Sequence, residues 1–177
     1  MKEMRRYGFI LAVVCIIASG LLAGMNLLTR ARIIAQAQEE EMAGLREVVP
    51  LGERFEAVKS KEELLYYKAY DKEGRFIAVA FKALGKGYSS MVETIVGMTK
   101  DGVITAIKIL SQNETPGLGA KIVEPAFTTR FSNKNVGELN NVQAISGATI
   151  SSTAVIDSVK NKAEEIKELI EDVSLKQ

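Results

Sequence analysis

VETIVGMTKDGVITAIKIL, residues 92–110, contains two strand-like runs joined by a tight turn and gives the clearest indication of the architecture. Val92–Thr99 and Val103–Leu110 are rich in β-branched residues, and Lys100-Asp101-Gly102 between them ends on the glycine that hairpin turns favour. The sequence therefore predicts an antiparallel hairpin. Four residues that alternate along the second run are predicted to share one covered face, with a more polar face opposite: Val103, Thr105, Ile107 and Ile109.

A second hairpin and a long helix flank this stretch. Leu64–Tyr70 and Arg75–Ala83, separated by a turn that ends in glycine, predict another antiparallel pair. Residues 151–173 carry an apolar stripe at helical spacing, with Ser151 or Ser152 as the expected N-cap. The stripe consists of Ala154, Val155, Val159, Ala163, Ile166, Ile170 and Val173. These elements predict the α+β class, a small domain of antiparallel β-hairpins packed with a long C-terminal helix.

An uncharged segment near the N-terminus predicts a membrane anchor. Residues 7–29 form a helix of ~34 Å at ~1.5 Å per residue, enough to cross a hydrocarbon core of ~30 Å. A cleaved signal peptide is the alternative, but its apolar region usually has only ~7–15 residues. The expected organisation is a tail at 1–6, a single transmembrane helix at 7–29, an amphipathic stalk at 30–50 that stops at Pro50, and a domain at 51–177.

The charge pattern around this segment leaves its orientation open. Basic residues stand on both sides of it: Lys2, Arg5 and Arg6 before, and Arg30, Arg32 and Arg46 after.

Composition excludes several kinds of chemistry. The chain has no histidine and one cysteine, Cys15, which we interpret as a small apolar residue inside the anchor. Zinc sites of His and Cys, cysteine-ligated iron–sulfur clusters, attached haem and histidine-dependent nucleophilic catalysis are therefore excluded. A net charge of only +1 argues against a nucleic-acid partner. We predict no catalytic side chain and no metal ligand, so any redox chemistry must come from an organic cofactor.

Two loops are candidates for binding such a cofactor. SQNETPGLGAK, residues 111–121, has a backbone poor in side chains that a flat ligand could approach closely. SGAT, residues 146–149, precedes the long helix, whose first amide groups and dipole favour a phosphate. The alternative for each loop is an ordinary turn and an ordinary helix cap.

The motifs SGATISSTAV at 146–155, ETPGLGAKI at 114–122 and KGYSS at 86–90 resemble a known family. They are similar to the FMN-binding domain of the G subunit of Rnf electron-transport complexes, which also occurs in the C subunit of sodium-translocating NADH:quinone reductases. The resemblance spans the whole chain. It implies a phosphoester between FMN and Thr149, made by a flavin transferase that uses FAD. The family has an acidic residue three positions before the serine of SGAT, where this chain has Gln143.

The resemblance also implies the other cofactor-binding residues. Around the phosphate we expect Ser146, Gly147, Ala148 and Ser151. Against the isoalloxazine or ribityl chain we expect Glu114, Thr115, Pro116, Gly117, Leu118 and Gly119, with Ser89 nearby.

The function implied by the resemblance is that of a membrane-anchored electron-transfer subunit without independent turnover. Its complex would couple ferredoxin oxidation and NAD reduction to translocation of Na⁺ or H⁺. The expected partners are the other membrane subunits, the flavin transferase and the lipid bilayer. The expected location is the prokaryotic cytoplasmic (inner) membrane, crossed once, with the N-terminus in the cytoplasm and the flavin domain on the extracytoplasmic side.

Three alternatives remain open at this point. One is the C-type subunit of a sodium-translocating NADH:quinone reductase or another membrane flavoprotein with the same domain. A second is a non-redox anchored module that binds a phosphate ligand reversibly through residues 146–152. The third is a purely structural assembly subunit.

Overall fold

The N-terminal helix combines the predicted anchor and stalk. A computed structural model describes residues 2–60 and 63–174, and the chain divides into two compact units, Met1–Glu40 and Glu41–Gln177. Helix α1 runs without interruption over Lys2–Val48 and ends two residues before Pro50. Within the described residues, α1 is the one helix long and apolar enough to cross a membrane.

The sheet contains five antiparallel strands in the order in which they follow along the chain. The strands are β1 Arg54–Ser60, β2 Glu63–Tyr70, β3 Phe76–Lys86, β4 Met91–Thr99 and β5 Ile104–Ser111. Both predicted hairpins are therefore confirmed. Gly74 and Gly102 close their turns with φ of +78° each, a conformation that glycine adopts without steric cost.

Strand β1 was not predicted from the sequence. Its residues, RFEAVKS, lack a clear apolar alternation, and only Phe55 and Val58 are partly buried. This strand is the edge of the sheet and pairs only with β2. Its pairing comes from backbone hydrogen bonds to a neighbour, which leave little trace in the order of side chains.

One face of the sheet is covered by helix α3, which spans Thr149–Ser174. The predicted apolar stripe is confirmed, because Val155, Val159, Ala163 and Ile166 are buried against the sheet. The side chain of Val173 lies outside the described part of the structure. Helix and sheet approach closely at Gly85 of β3, where an added Cβ would overlap the carbonyl of Ala154.

The opposite face is covered as well, which corrects the expectation of a more polar face. Leu45, Val48 and Val49, at the end of α1 and just after it, are buried in a second apolar cluster with residues such as Ala80 and Ile95. These residues lie in the sequence before the first strand. The alternation of residues within the strands therefore could not predict that residues 45–49 cover this face.

The predicted shared face of β5 is wrong for Thr105. The register shifts between Gly97 and Met98, which pair with Ala106 and Ile104, so that Thr105 is the extra residue of a β-bulge. The Thr105 hydroxyl donates to the Val48 carbonyl on the α1 side, whereas Ile107 and Ile109 pack on the α3 side.

Short helices connect β5 to α3. They are a 3₁₀ helix at Gly119–Val123, helix α2 at Pro125–Thr128, and 3₁₀ helices at Thr129–Phe131 and Val136–Asn141. Ile122, Phe127, Phe131 and Leu139 from these turns are fully buried. The connection thereby completes the core beneath the loops that carry the candidate site.

Candidate functional site

The three motifs that the sequence singled out meet at one cavity. It has a volume of about 420 Å³ and lies entirely within the unit Glu41–Gln177. Its walls come from the turn after β3, the loop after β5 and the start of α3. The lining residues are Tyr88, Glu114, Thr115, Leu118, Gly119, Gly147, Ala148, Thr149, Ile150 and Ser151.

Helix α3 begins at Thr149, two residues earlier than predicted. Neither proposed serine caps it, since the Ser151 hydroxyl donates to Glu114 and the Ser152 hydroxyl donates to the Ala148 carbonyl at 2.9 Å. Ser152 Oγ also accepts the amide of Ile145 at 3.1 Å. The N-cap prediction was wrong because these hydroxyls are buried inside the first turn and bind other groups.

The start of α3 presents polar groups that have no partner in the helix. The first backbone bond of this turn runs from Ser152 N–H to the Ala148 carbonyl at 2.9 Å. The amides of Thr149, Ile150 and Ser151 therefore precede the intrahelical ladder, and the positive end of the helix dipole lies at the same place. Thr149 is exposed, and none of the side-chain hydrogen bonds of the described residues involves its hydroxyl.

The loop before α3 keeps this end of the helix accessible. Gly147 adopts φ of +80°, and a Cβ built on it would meet nothing within 4 Å. The amide of Ala148 donates to the carbonyl of Ile145 at 3.0 Å and closes the turn. The side-chain-poor turn therefore leaves open space in front of Thr149.

The ETPGLG loop forms a second tight turn. The amides of Leu118 and Ala120 both donate to the Thr115 carbonyl, at 3.1 and 3.2 Å. Gly117 adopts φ of +76° at the bend. Leu118 is 53% exposed, and so it faces the opening of the cavity with Tyr88 and Ile150, which are 73% and 57% exposed.

Glu114 joins the three motifs. Its carboxylate is buried and accepts the amides of Ser89 and Ser90 on Oε1 at 3.0 Å each, and the amide of Tyr88 on Oε2 at 3.2 Å. The hydroxyl of Ser151 donates to Oε2 at 2.6 Å. One side chain thus binds the turn after β3 to the first turn of α3, across sequence separations of 24 to 37 residues.

These hydrogen bonds determine the ionisation of Glu114. Burial removes water and opposes the charged form, but the Ser151 hydroxyl and the amides of Ser90, Ser89 and Tyr88 outweigh that effect and hold the pKa of this carboxyl below its ordinary value. The carboxylate is therefore ionised at neutral pH.

Eight of the twelve predicted cofactor-binding residues line the cavity. They are Glu114, Thr115, Leu118, Gly119, Gly147, Ala148, Thr149 and Ser151. Four others lie in the same turns outside the lining: Ser89, Pro116, Gly117 and Ser146. Tyr88 and Ile150 line the cavity and were not predicted, although each lies inside a quoted motif. No pattern in the sequence marked either residue as part of the cavity wall, because single exposed apolar residues are common on protein surfaces.

Comparisons with known proteins identify the domain that contains this cavity. The model of the FMN-binding domain family matches residues 87–164, and the model of the RnfG N-terminal region matches residues 1–48. The first match contains every cavity-lining residue, and the second covers α1.

Three curated relatives, all of them G subunits, are similar over most of their length. The relative from the ion-translocating oxidoreductase complex of Methanosarcina acetivorans is 31% identical and covers 89% of this chain and 92% of its own. The relative from the proton-translocating ferredoxin:NAD(+) oxidoreductase complex of Clostridium ljungdahlii is 32% identical, with 88% of both chains covered. The relative from the Na(+)-translocating complex of the same type in Acetobacterium woodii is 32% identical, with 89% of both covered.

Among solved structures, Shewanella oneidensis NqrC superposes with a TM-score of 0.49 at 20% identity, over 64% of this chain and 66% of that chain. The family membership comes from the sequence relatives, which align with most of this chain. This chain belongs to the family of G subunits of ion-translocating oxidoreductase complexes of the Rnf type.

Proposed function

We propose that this protein is the membrane-anchored electron-transfer subunit of an Rnf-type complex and carries FMN bound covalently to Thr149. The observation that carries the proposal is the free Thr149 hydroxyl, which lies beside three unpaired helix amides at a cavity formed by all three motifs. In the related complexes whose names state an activity, that activity is ion-translocating ferredoxin:NAD(+) oxidoreduction. The protein is anchored by α1 and depends on the other subunits for turnover.

The residues of the cavity fit a flavin mononucleotide. A phosphate group finds the amides of Thr149, Ile150 and Ser151 and the helix dipole at the start of α3. A flat aromatic ring finds exposed apolar surface on Tyr88 and Leu118, which line the same cavity. The cavity thus offers donors for a phosphate and apolar surface for a ring, the two parts of the cofactor.

We propose that FMN reaches Thr149 by transfer of its phosphoryl group from FAD. In that transfer the Thr149 oxygen would form a bond to the phosphorus of the FMN half, the pyrophosphate bond would break, and AMP would leave. The hydroxyl proton would pass to a base of the flavin transferase. The open space around Gly147 and the exposure of Thr149 support this step, because the transferase must reach the hydroxyl from solvent.

The chain's own contribution is to bind and orient. FMN, when bound, supplies the transfer of one or two electrons. The α3 amides would hold the phosphate, the Thr149 ester would prevent loss of the cofactor, and Leu118 and Tyr88 would shield the ring from water. With Thr149 as the single tether, the position of the ring depends on the turns around residues 87–90 and 114–119.

A denaturing gel under ultraviolet light tests the covalent bond. The full chain, made in cells that contain the flavin transferase, is expected to give a fluorescent band that disappears in Thr149→Ala. Thr153→Ala is the matched control, because Thr153 is an exposed threonine one turn further along α3. Its band should stay bright.

Two outcomes would contradict the proposal in different ways. A dark wild-type band with flavin in the native sample indicates reversible binding of a phosphate ligand. Normal electron transfer by the complex after Thr149→Ala indicates a purely structural subunit.

We also propose that the N-terminus lies in the cytoplasm and that the flavin domain lies on the extracytoplasmic side of a prokaryotic inner membrane. Single cysteines placed at Arg5 and at Asp101, in a Cys15→Ser background, test this orientation with a membrane-impermeant maleimide. Intact cells should label position 101, which is exposed in a turn of the domain, and leave position 5 unlabelled. The reverse pattern contradicts the proposed orientation.

A further inference from the structure

We propose that Glu114 lowers the reduction potential of the bound flavin, because its fixed negative charge in the cavity wall disfavours negative charge on the reduced ring. This inference rests on the proposed function, since it concerns the flavin that the cavity would hold. Glu114 acts through its field and needs no direct contact with the reacting atoms.

Glu114 has no competing charge in the cavity wall. Among the ten lining residues, all of which the structure describes, it is the single one with a charged side chain. The positive potential in the wall comes from the end of α3, where the phosphate is expected to neutralise it.

The charge is held in place on every side. Three amides and the Ser151 hydroxyl bind the carboxylate, and Ser90 Oγ lies 3.4 Å from Oε1. Two glycines leave the space that it fills. A Cβ on Gly87 would lie 2.5 Å from Oε1, and a Cβ on Gly119 would lie 2.7 Å from Oε2. Rotation of the carboxylate towards solvent would therefore break its hydrogen bonds to the amides and to the Ser151 hydroxyl.

The protons that accompany reduction determine the direction of the effect. Two electrons and one proton taken up by the neutral flavin ring leave one negative charge on it, whereas two electrons and two protons leave none. A nearby carboxylate raises the free energy of the charged product and has little effect on the neutral oxidised ring. The proposal takes the one-proton product, for which the potential is lower with Glu114 ionised than with a neutral residue of the same shape.

Glu114→Gln is the main test, because it removes the charge and keeps the shape. Its amide oxygen can still accept the amides of Ser89 and Ser90, while its NH₂ faces the Ser151 hydroxyl, which can turn to accept. The Tyr88 amide loses its acceptor in this variant, because it too points at the position that the NH₂ takes. We expect the flavin midpoint potential of the full chain, measured by spectroelectrochemical titration, to rise. The expected shift is a change of about tenfold in the reduction equilibrium, or ~30 mV for two electrons.

Three further variants separate charge from structure. Glu114→Asp keeps the charge and loses reach, so its potential should stay nearer to that of the wild type. Glu124→Gln removes a carboxylate from the same connection outside the cavity wall, and its potential should not move. Ser151→Ala removes the shortest hydrogen bond to the carboxylate, which leaves its charge less compensated. The potential of Ser151→Ala should therefore fall, opposite in sign to Glu114→Gln.

The outcomes are distinguishable from failure of the proposed function. A wild-type chain without flavin overturns both proposals. Flavin-loaded Glu114→Gln with an unchanged or lowered potential overturns this inference alone. If Glu114→Gln does not fold, Ser151→Ala decides, and a potential that is unchanged or raised in that variant overturns the inference.

Discussion

At the scale of single residues, the hydrogen bond between Ser151 and Glu114 connects two segments that are 37 positions apart. Both residues are buried, with exposed fractions of 2% and 6%. A buried carboxylate that loses a donor keeps its desolvation cost and loses its compensation. The stability of the site therefore depends on a hydroxyl that the sequence alone assigned to a helix cap.

We expect Ser151→Ala to destabilise the protein by ~1.5–3 kcal/mol, the usual value for a hydrogen bond to a charged group. Thermal unfolding of the detergent-solubilised chain checks this, since each kcal/mol lowers the midpoint by ~2–4 °C at this size. Thr153→Ala, on an exposed position of the same helix, should change the midpoint little. Equal shifts in the two variants would contradict a special role for Ser151.

The ionised Glu114 predicts a dependence of stability on pH. Because the folded state holds the pKa of Glu114 below its ordinary value, the resulting stabilisation is fully present above that ordinary value and is lost as pH falls through the folded pKa. The wild type should therefore unfold at a higher temperature than Glu114→Gln at about pH 7, and the gap should narrow towards about pH 3. The gap to Thr153→Ala, which involves no titratable group, should stay constant across this series.

At the scale of elements, both faces of the sheet depend on glycines where helices approach the strands. Gly85 on β3 faces the Ala154 carbonyl of α3, and Gly97 on β4 faces the Val48 carbonyl at the end of α1. Any side chain at these two positions would overlap a helix carbonyl group, and relieving the overlap would require the helix itself to shift. The sheet is thereby held between two helical segments at close range.

We expect Gly85→Ala to lower the free energy of unfolding by ~1–3 kcal/mol, because the new methyl group forces α3 away from β3. Since α3 also presents Thr149, flavin loading should fall together with the thermal midpoint. Gly137→Ala adds the same methyl group where nothing lies within 4 Å and should leave both quantities near wild type. A Gly85→Ala protein as stable as Gly137→Ala would contradict the close packing.

At the scale of the whole molecule, the unit Glu41–Gln177 contains both apolar clusters and every residue of the cavity. Its first residue, Glu41, accepts the Tyr67 hydroxyl at 2.7 Å and the Lys82 ammonium at 2.8 Å. Lys82 also pairs with Glu93 at 3.1 Å, so two carboxylates share one ammonium. The last turns of α1 are therefore part of the folded domain.

Truncation tests where this domain begins. A chain that starts at Glu41 keeps Leu45, Val48 and Val49 in their cluster and should show a cooperative thermal transition. A chain that starts at Leu51, the boundary expected from the sequence, exposes the second face and loses ~1.5–3 kcal/mol for each buried apolar side chain removed. Circular dichroism should then show a much lower midpoint or no transition. Equal midpoints would place the domain boundary at residue 51.

Features that depend on residues close together in the sequence were predicted correctly, whereas features that depend on distant residues were not. The apolar span, the two hairpins and the α3 stripe depend on patterns within about 20 residues, and all are present in the structure. The register of β5 was predicted wrongly, because the bulge at Thr105 depends on its partner strand and on Val48. Tyr88 and Ile150 joined the site only when separate loops came together.

The order of residues by itself determined that this chain has an apolar N-terminal helix, antiparallel hairpins, a closing helix and three motifs that share one family. Two features became visible only in the folded chain: the three motifs surround one cavity, and Glu114 joins them, with Ser151 as its donor and not as a helix cap. The physical reason is that a buried carboxylate takes its donors from whichever backbone surrounds it, and no local periodicity encodes contacts between loops 24 to 37 residues apart.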